Sequence, residues 1–139
     1  MKRIIWWLSL TLLIVAGFLY ISYEMAHSDV SVVYHLPEGF DGCMYLLYNQ
    51  PNEEPLKIDD EEIIIKIPDD GIVSTSSSSD VISGLGWHKV KAFYVNEKGE
   101  RLEEIPNEKF TNGSTSIRNN NPQTEKFSIS FDARNGFCH

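Results

Sequence analysis

Lys126 to Phe131 reads KFSISF, and this alternation decides the fold. Successive side chains of a strand point to opposite faces, so Phe127, Ile129 and Phe131 share one face, and Lys126, Ser128 and Ser130 the other. The pattern predicts a half-buried strand with its apolar side inward. Glu62 to Ile67 (EIIIKI) supplies a second set, Ile63, Ile65 and Ile67. The two sets are expected to face one core, closed over by Tyr45, Leu47 and Val95. Ser128 and Ser130 are expected to face water.

The segments around these two read as further strands between turns. Val30 to Leu36 (VSVVYHL) is rich in β-branched and aromatic residues, and Cys43 to Tyr48 (CMYLLY) has the weak alternation of a strand buried on both faces. Pro37 to Gly42, Asn49 to Pro55 and Pro68 to Gly71 carry the Pro, Gly, Asn and Asp of turns. Ile72 to Thr75 follows the last of these. Lys89 to Val95 (KVKAFYV) and Glu100 to Ile105 bracket Asn96-Glu97-Lys98-Gly99, a hairpin connection with Gly99 in a left-handed position. Ser74 to Asp80 (STSSSSD) is expected to be a mobile polar linker, and Thr111 to Thr124 a long exposed loop. After residue 28 no stretch keeps helical periodicity for long, so the fold class expected is all-β. The architecture expected is an antiparallel β-sandwich, immunoglobulin-like or prealbumin-like, behind an N-terminal transmembrane helix.

That helix is read from Ile4 to Tyr23, IIWWLSLTLLIVAGFLYISY, which holds no charged residue. About twenty helical residues cover the roughly 30 Å hydrocarbon core. Lys2 and Arg3 precede the run, and cationic flanks favour the cytoplasmic side, which leaves Asp29 to His139 outside the cytoplasm. A cleaved signal peptide is the alternative. Its apolar region is usually about 7–15 residues, shorter than this one, but Ala26-His27-Ser28 has the small residues needed for cleavage before Asp29. Residues 1–28 are thus read as a signal anchor at the cell membrane, and 29–139 as one extracytoplasmic domain, secreted if the anchor is removed.

From Asp29 onward ten Lys or Arg stand against nineteen Asp or Glu, a net charge of −9. Such a domain repels nucleic-acid phosphates, so nucleic-acid binding is discarded. The carboxylates serve solubility, or face a basic partner. Cys43 and Cys138 are an even pair outside the cytoplasm, which suggests a disulfide; two unpaired thiols are the alternative.

Little else in the chain names chemistry. His27, His35, His88 and His139 lack metal-ligand spacing, and the adjacent pair Cys138-His139 falls short of the three or four ligands zinc needs. Asp59-Asp60-Glu61-Glu62 lacks the twelve-residue calcium-loop pattern. Ser76 to Ser79 have no base held in reach, and Ser83-Gly84-Leu85-Gly86 has no lysine to make it a phosphate loop. Asn112-Gly113-Ser114 reads as a turn. No catalytic, cofactor-binding or metal site is therefore expected. Trp87 is the residue singled out for recognition: exposed, it would anchor a ligand or a protein partner. A core or strand-edge position is the commoner use of such a side chain and the one favoured.

Leu36-Pro37-Glu38-Gly39-Phe40-Asp41-Gly42, Tyr48-Asn49-Gln50-Pro51, Pro55-Leu56 and the run Ile65 to Ser76 (IKIPDDGIVSTS) together resemble a family of bacterial domains of unknown function. Phe93 to Gly99 (FYVNEKG) matches a later segment of it. The resemblance covers roughly half of the external domain and implies a small secreted or membrane-attached protein of Bacillus type. The family commonly has tryptophan where this chain has Cys43, a departure that strengthens the pairing with Cys138. It implies no active site. The function expected is a non-enzymatic binding or interaction module of the cell envelope, its partner an envelope or secreted protein. The alternatives are a hydrolase using carboxylates such as Glu38, Asp41 and Asp70, and a self-protection protein that binds a secreted toxin.

Overall fold

The computed structural model of the chain describes residues 2–26, 28–110, 113–131 and 138, with helix side chains described from Trp7 to Tyr23. Helix α1 runs Lys2–Ala26. Its leucines, with Ala16, Met25 and Ala26, favour a helix, and Gly17 is its sole glycine. Trp7, Leu12, Leu13, Phe18, Tyr20 and Tyr23 all stand out from it, each more than 60 % exposed. The expected anchor is thus a helix with an apolar exterior. As a span it is not shown: among the described residues, no helix is long and apolar enough to cross a membrane.

Among the described residues nine strands follow, in two sheets. β1 (Ser31–Pro37), β3 (Ile58–Asp59), β4 (Glu62–Lys66), β6 (Val90–Val95) and β7 (Arg101–Glu104) form one sheet in the order β3-β4-β1-β6-β7. β2 (Cys43–Leu47), β5 (Ile72–Ser74), β8 (Ser114–Ser116) and β9 (Lys126–Ser130) form the other in the order β5-β2-β9-β8. The chain changes sheet repeatedly. It leaves β1, returns through β2 in the second sheet, and re-enters the first through β3 and β4. It does the same through β5 before β6. Neighbours reached by such a crossover point the same way. β1 is accordingly parallel to both β4 and β6, and β2 is parallel to β5. This corrects the antiparallel expectation, which assumed neighbours joined by hairpins. Antiparallel pairing is kept for β3–β4, β6–β7, β2–β9 and β8–β9.

Both sheets feed one core. Val32, Tyr34 and Leu36 of β1, Ile63 and Ile65 of β4 and Ala92 of β6 join Met44 and Leu46 of β2 and Ile129 of β9 in a single buried cluster. Ile67 and Phe131, just past their strands, belong to it too. The two alternating sets thus share a core as expected, although Phe127 is only partly buried against it. Two details differ. Tyr45, Leu47 and Val95 are half-buried, and it is Met44, Leu46 and Tyr48 that fill the core; β2 alternates cleanly, with the opposite parity. Ser128 and Ser130 are buried as well. They pair across the ladder with Tyr45 and Cys43, so they share the outer face with the tyrosine and the disulfide-bonded cysteine.

The serine tract is also ordered. Thr75 is fully buried, and its hydroxyl donates to the Glu54 carbonyl at 2.8 Å. The Ser77 carbonyl accepts from Asn49 N–H, and its hydroxyl accepts from Leu56 N–H. Ser79 Oγ donates to Glu125 Oε1 at 2.6 Å. The tract then enters a one-turn helix, α2 (Asp80–Ser83). The mobile-linker expectation is corrected: short polar side chains here satisfy the backbone of the facing loop. The expected loop 111–124 likewise contains strand β8 and a short 3₁₀ turn, Pro122–Thr124.

Candidate functional site: a crevice at the far end of the sheet

β1 begins five residues after the end of α1 and runs away from it. A seven-residue strand covers about 23 Å. The carboxyl ends of three neighbouring strands, β4, β1 and β6, therefore meet at the end of the domain far from α1. The loops that leave these ends line a crevice of about 870 Å³, walled by His35, Glu38, Lys66, Asp69, Glu97 and Lys98 among others.

The three loops are held from below. In the first, the Phe40 ring meets Phe131 edge-on at 6.4 Å, and the Phe40 carbonyl accepts from Tyr94 Oη at 3.3 Å. In the second, Gly71 has φ +74°, and a Cβ there would collide with the Cys43 carbonyl oxygen, so only glycine fits. The Gly71 carbonyl accepts from Tyr45 N–H at 2.8 Å, and Asp70 Oδ1 accepts from Ile72 N–H at 2.9 Å. In the third, Asn96 Oδ1 accepts from the N–H groups of Lys98 and Glu100, and Gly99 takes φ +79° as expected. The disulfide Cys43–Cys138, with Cα atoms 5.7 Å apart, ties residue 138 to the start of β2 beneath these loops.

On the outer face of the same sheet, touching the crevice only through His35, lies a charged relay that sequence reading missed. Arg101 reaches from β7 across the Phe93 ring, its guanidinium 4.7 Å from the ring centroid. Arg101 Nε donates to His35 Nε2 at 3.0 Å, and its terminal nitrogens form an ion pair with Glu62 on β4. One side chain thus links four adjacent strands. His35 is 7 % exposed, and burial, then the Arg101 charge, lower its pKa from the ordinary 6.5. Its ring is neutral, and with Nε2 accepting, the proton sits on Nδ1. The Arg101 hydrogen bond lowers the Glu62 pKa. No spacing announces this group, since Arg101 and His35 lie 66 positions apart. The one hint was a histidine inside an apolar strand.

The expected site residues fall in different places. Cys43 and Cys138 are bonded. Trp87 is 75 % exposed, which removes the core position from the two favoured for it; it stands in an isolated bridge just ahead of β6, the strand-edge position. It lies at the other end of the domain, where its carbonyl accepts from Ser28 N–H at 2.9 Å. Of the carboxylates considered for hydrolysis, Glu38 lines the crevice, Asp70 serves its own turn, and Asp41 is not among the lining residues. Among the described residues, no group of three or more His, Cys, Asp or Glu is placed to hold a metal. His27, Asn112 and His139 lie outside the described residues.

No curated protein matches the chain. A crystal structure described as a "putative lipoprotein" from Bacillus anthracis is similar in fold, with a TM-score of 0.57. The similarity covers 78 % of this chain and 79 % of that one, at 20 % identity. Residues 28–137 match the model of a family of unknown function, DUF6843. That span takes in both sheets and the crevice, and the chain belongs to this family.

Proposed function

We propose that the protein is an extracytoplasmic, non-enzymatic binding module, held at a membrane by α1 and presenting its far crevice to a cationic partner. The crevice carries the reading. Its loops are fixed by their own hydrogen bonds and packing, so little order is lost on binding. Glu38, Asp69 and Glu97 line it together with Lys66 and Lys98, and the ion pair found among the described residues, Arg101–Glu62, lies outside that lining. Carboxylates predominate in the loops themselves, which also hold Asp41 and Asp70, and that excess selects a basic protein or peptide. His35, the buried histidine at the crevice, already spends Nε2 on Arg101 and is poorly placed as a base.

Attachment is supported by the apolar exterior of α1 and by the lipoprotein description of the structural neighbour. We read α1 as a single-pass anchor and the two sheets as the layers of a β-sandwich, since both contribute to one core. The test is capture from native membranes after crosslinking. The triple variant Glu38→Lys, Asp69→Lys, Glu97→Lys should lose its partner while keeping the melting temperature within a few degrees. Capture should also weaken with added salt. Undiminished capture by the folded triple variant would refute the crevice as the binding site.

A further inference from the structure

Trp87 sits at the end of the domain nearest α1, and its setting is specific. Its carbonyl accepts from Ser28 N–H, and the Lys89 carbonyl accepts from Val32 N–H, so the segment is laced to the residues that leave the helix. Gly86 has φ +65°, and the Gly86 carbonyl lies 2.8 Å from His88 Nδ1, which closes the turn around Trp87. Leu85 packs against the core beside it. The indole is thus carried on a fixed turn and left 75 % exposed.

We infer that this face rests on the bilayer surface, with Trp87 lodged among the lipid headgroups. The inference builds on the proposed anchoring by α1. If Tyr23 ends the apolar run, three helical residues to Ala26 add about 4.5 Å. Two more to Ser28 add at most about 7 Å. The headgroup zone is about 5–8 Å deep on each side of the hydrocarbon core. Ser28 and the backbone bonded to it therefore lie at the outer edge of that zone, within reach of a tryptophan side chain. Indole favours that zone because its ring is amphipathic. The exposed Lys89 adds a cation suited to lipid phosphates. The acidic run Asp59 to Glu62 ends β3, turns and begins β4 at this same end of the sheet but on the opposite side of β1 from β6, so it is the Trp87 side that is turned to the headgroups.

The chain holds three tryptophans, Trp6, Trp7 and Trp87, so Trp6→Phe with Trp7→Phe leaves Trp87 as the sole indole. That full-length variant is reconstituted into phosphatidylcholine vesicles, with and without brominated acyl chains as quenchers, and isolated by flotation. Trp87 should emit to the blue of indole in water and lose part of its emission with brominated lipid. Floating protein with water-like, unquenched emission would overturn the inference and leave the anchor standing. Protein that fails to float would overturn the anchor and the inference together. Trp87→Phe in the same background should abolish the signal.

Discussion

Phe131 is the aromatic on which three other rings of the core converge. It is 6 % exposed and meets Tyr34 at 5.8 Å, Phe110 at 5.5 Å and Phe40 at 6.4 Å between ring centroids. Phe131→Ala is expected to destabilise the domain by about 3–5 kcal/mol, measured by urea unfolding. A cost under about 1 kcal/mol would show that the ring is dispensable. His35 gives a second residue-scale prediction. Because its pKa is lowered on folding, the unfolded chain binds more protons as pH falls through 6.5. Its contribution to stability is therefore complete above the ordinary imidazole range and is lost as pH falls below it toward the depressed folded value. Glu62, also lowered, extends the acid loss to pH values below the ordinary 4.5. In an NMR titration, Arg101→Met should move the His35 pKa upward. An unchanged value would show that the guanidinium does not act on the ring.

At the scale of elements, the serine tract tests how far composition can mislead. Thr75→Val keeps the shape but removes the acceptor of Ser77 N–H and leaves the Glu54 carbonyl only its long bond from Ser76 N–H, and is expected to cost about 1–3 kcal/mol. Stability within error of the parent would restore the mobile-linker view. Strand positions were legible because alternation and turn residues are local: β1, β4, β6, β7 and β9 lie where the pattern put them. Strand direction was not legible, since it depends on which sheet the chain enters after each turn. The order of Ser74 to Asp80 was hidden for a related reason. A run of hydroxyls reads as solvent-exposed until the loop 49–56 and Glu125 arrive from distant sequence to accept and donate. The parity of β2 failed because Cys43 to Tyr48 is apolar on both sides, and only pairing with β9 tells the faces apart.

Over the whole molecule, the two ends of the first sheet differ in kind. Near α1 lie Trp87 and Lys89 on one side of β1 and the acidic turn Asp59 to Glu62 on the other; at the far end lie three loops whose Glu38, Asp69 and Glu97 line the crevice. The Cys43–Cys138 bond spans 95 positions and closes the far end. Losing it through Cys43→Ser should cost about 4–5 kcal/mol in the chain-entropy account and lower the melting temperature. An unchanged melting temperature would show that residue 138 adds nothing to the fold. The disulfide was legible from compartment and parity, but the crevice was not, because its charges come from three loops that only the parallel pairing of β4, β1 and β6 brings together. The most direct test of the central claim uses a photoreactive residue in place of Lys98, in the crevice, and separately in place of Ile117, at the opposite end of the second sheet. Irradiated in intact native cells, the position-98 variant should crosslink one discrete partner, and the position-117 variant should not. Equal yields from both positions, or none from position 98 with the domain folded, would contradict a binding module that works through its far crevice.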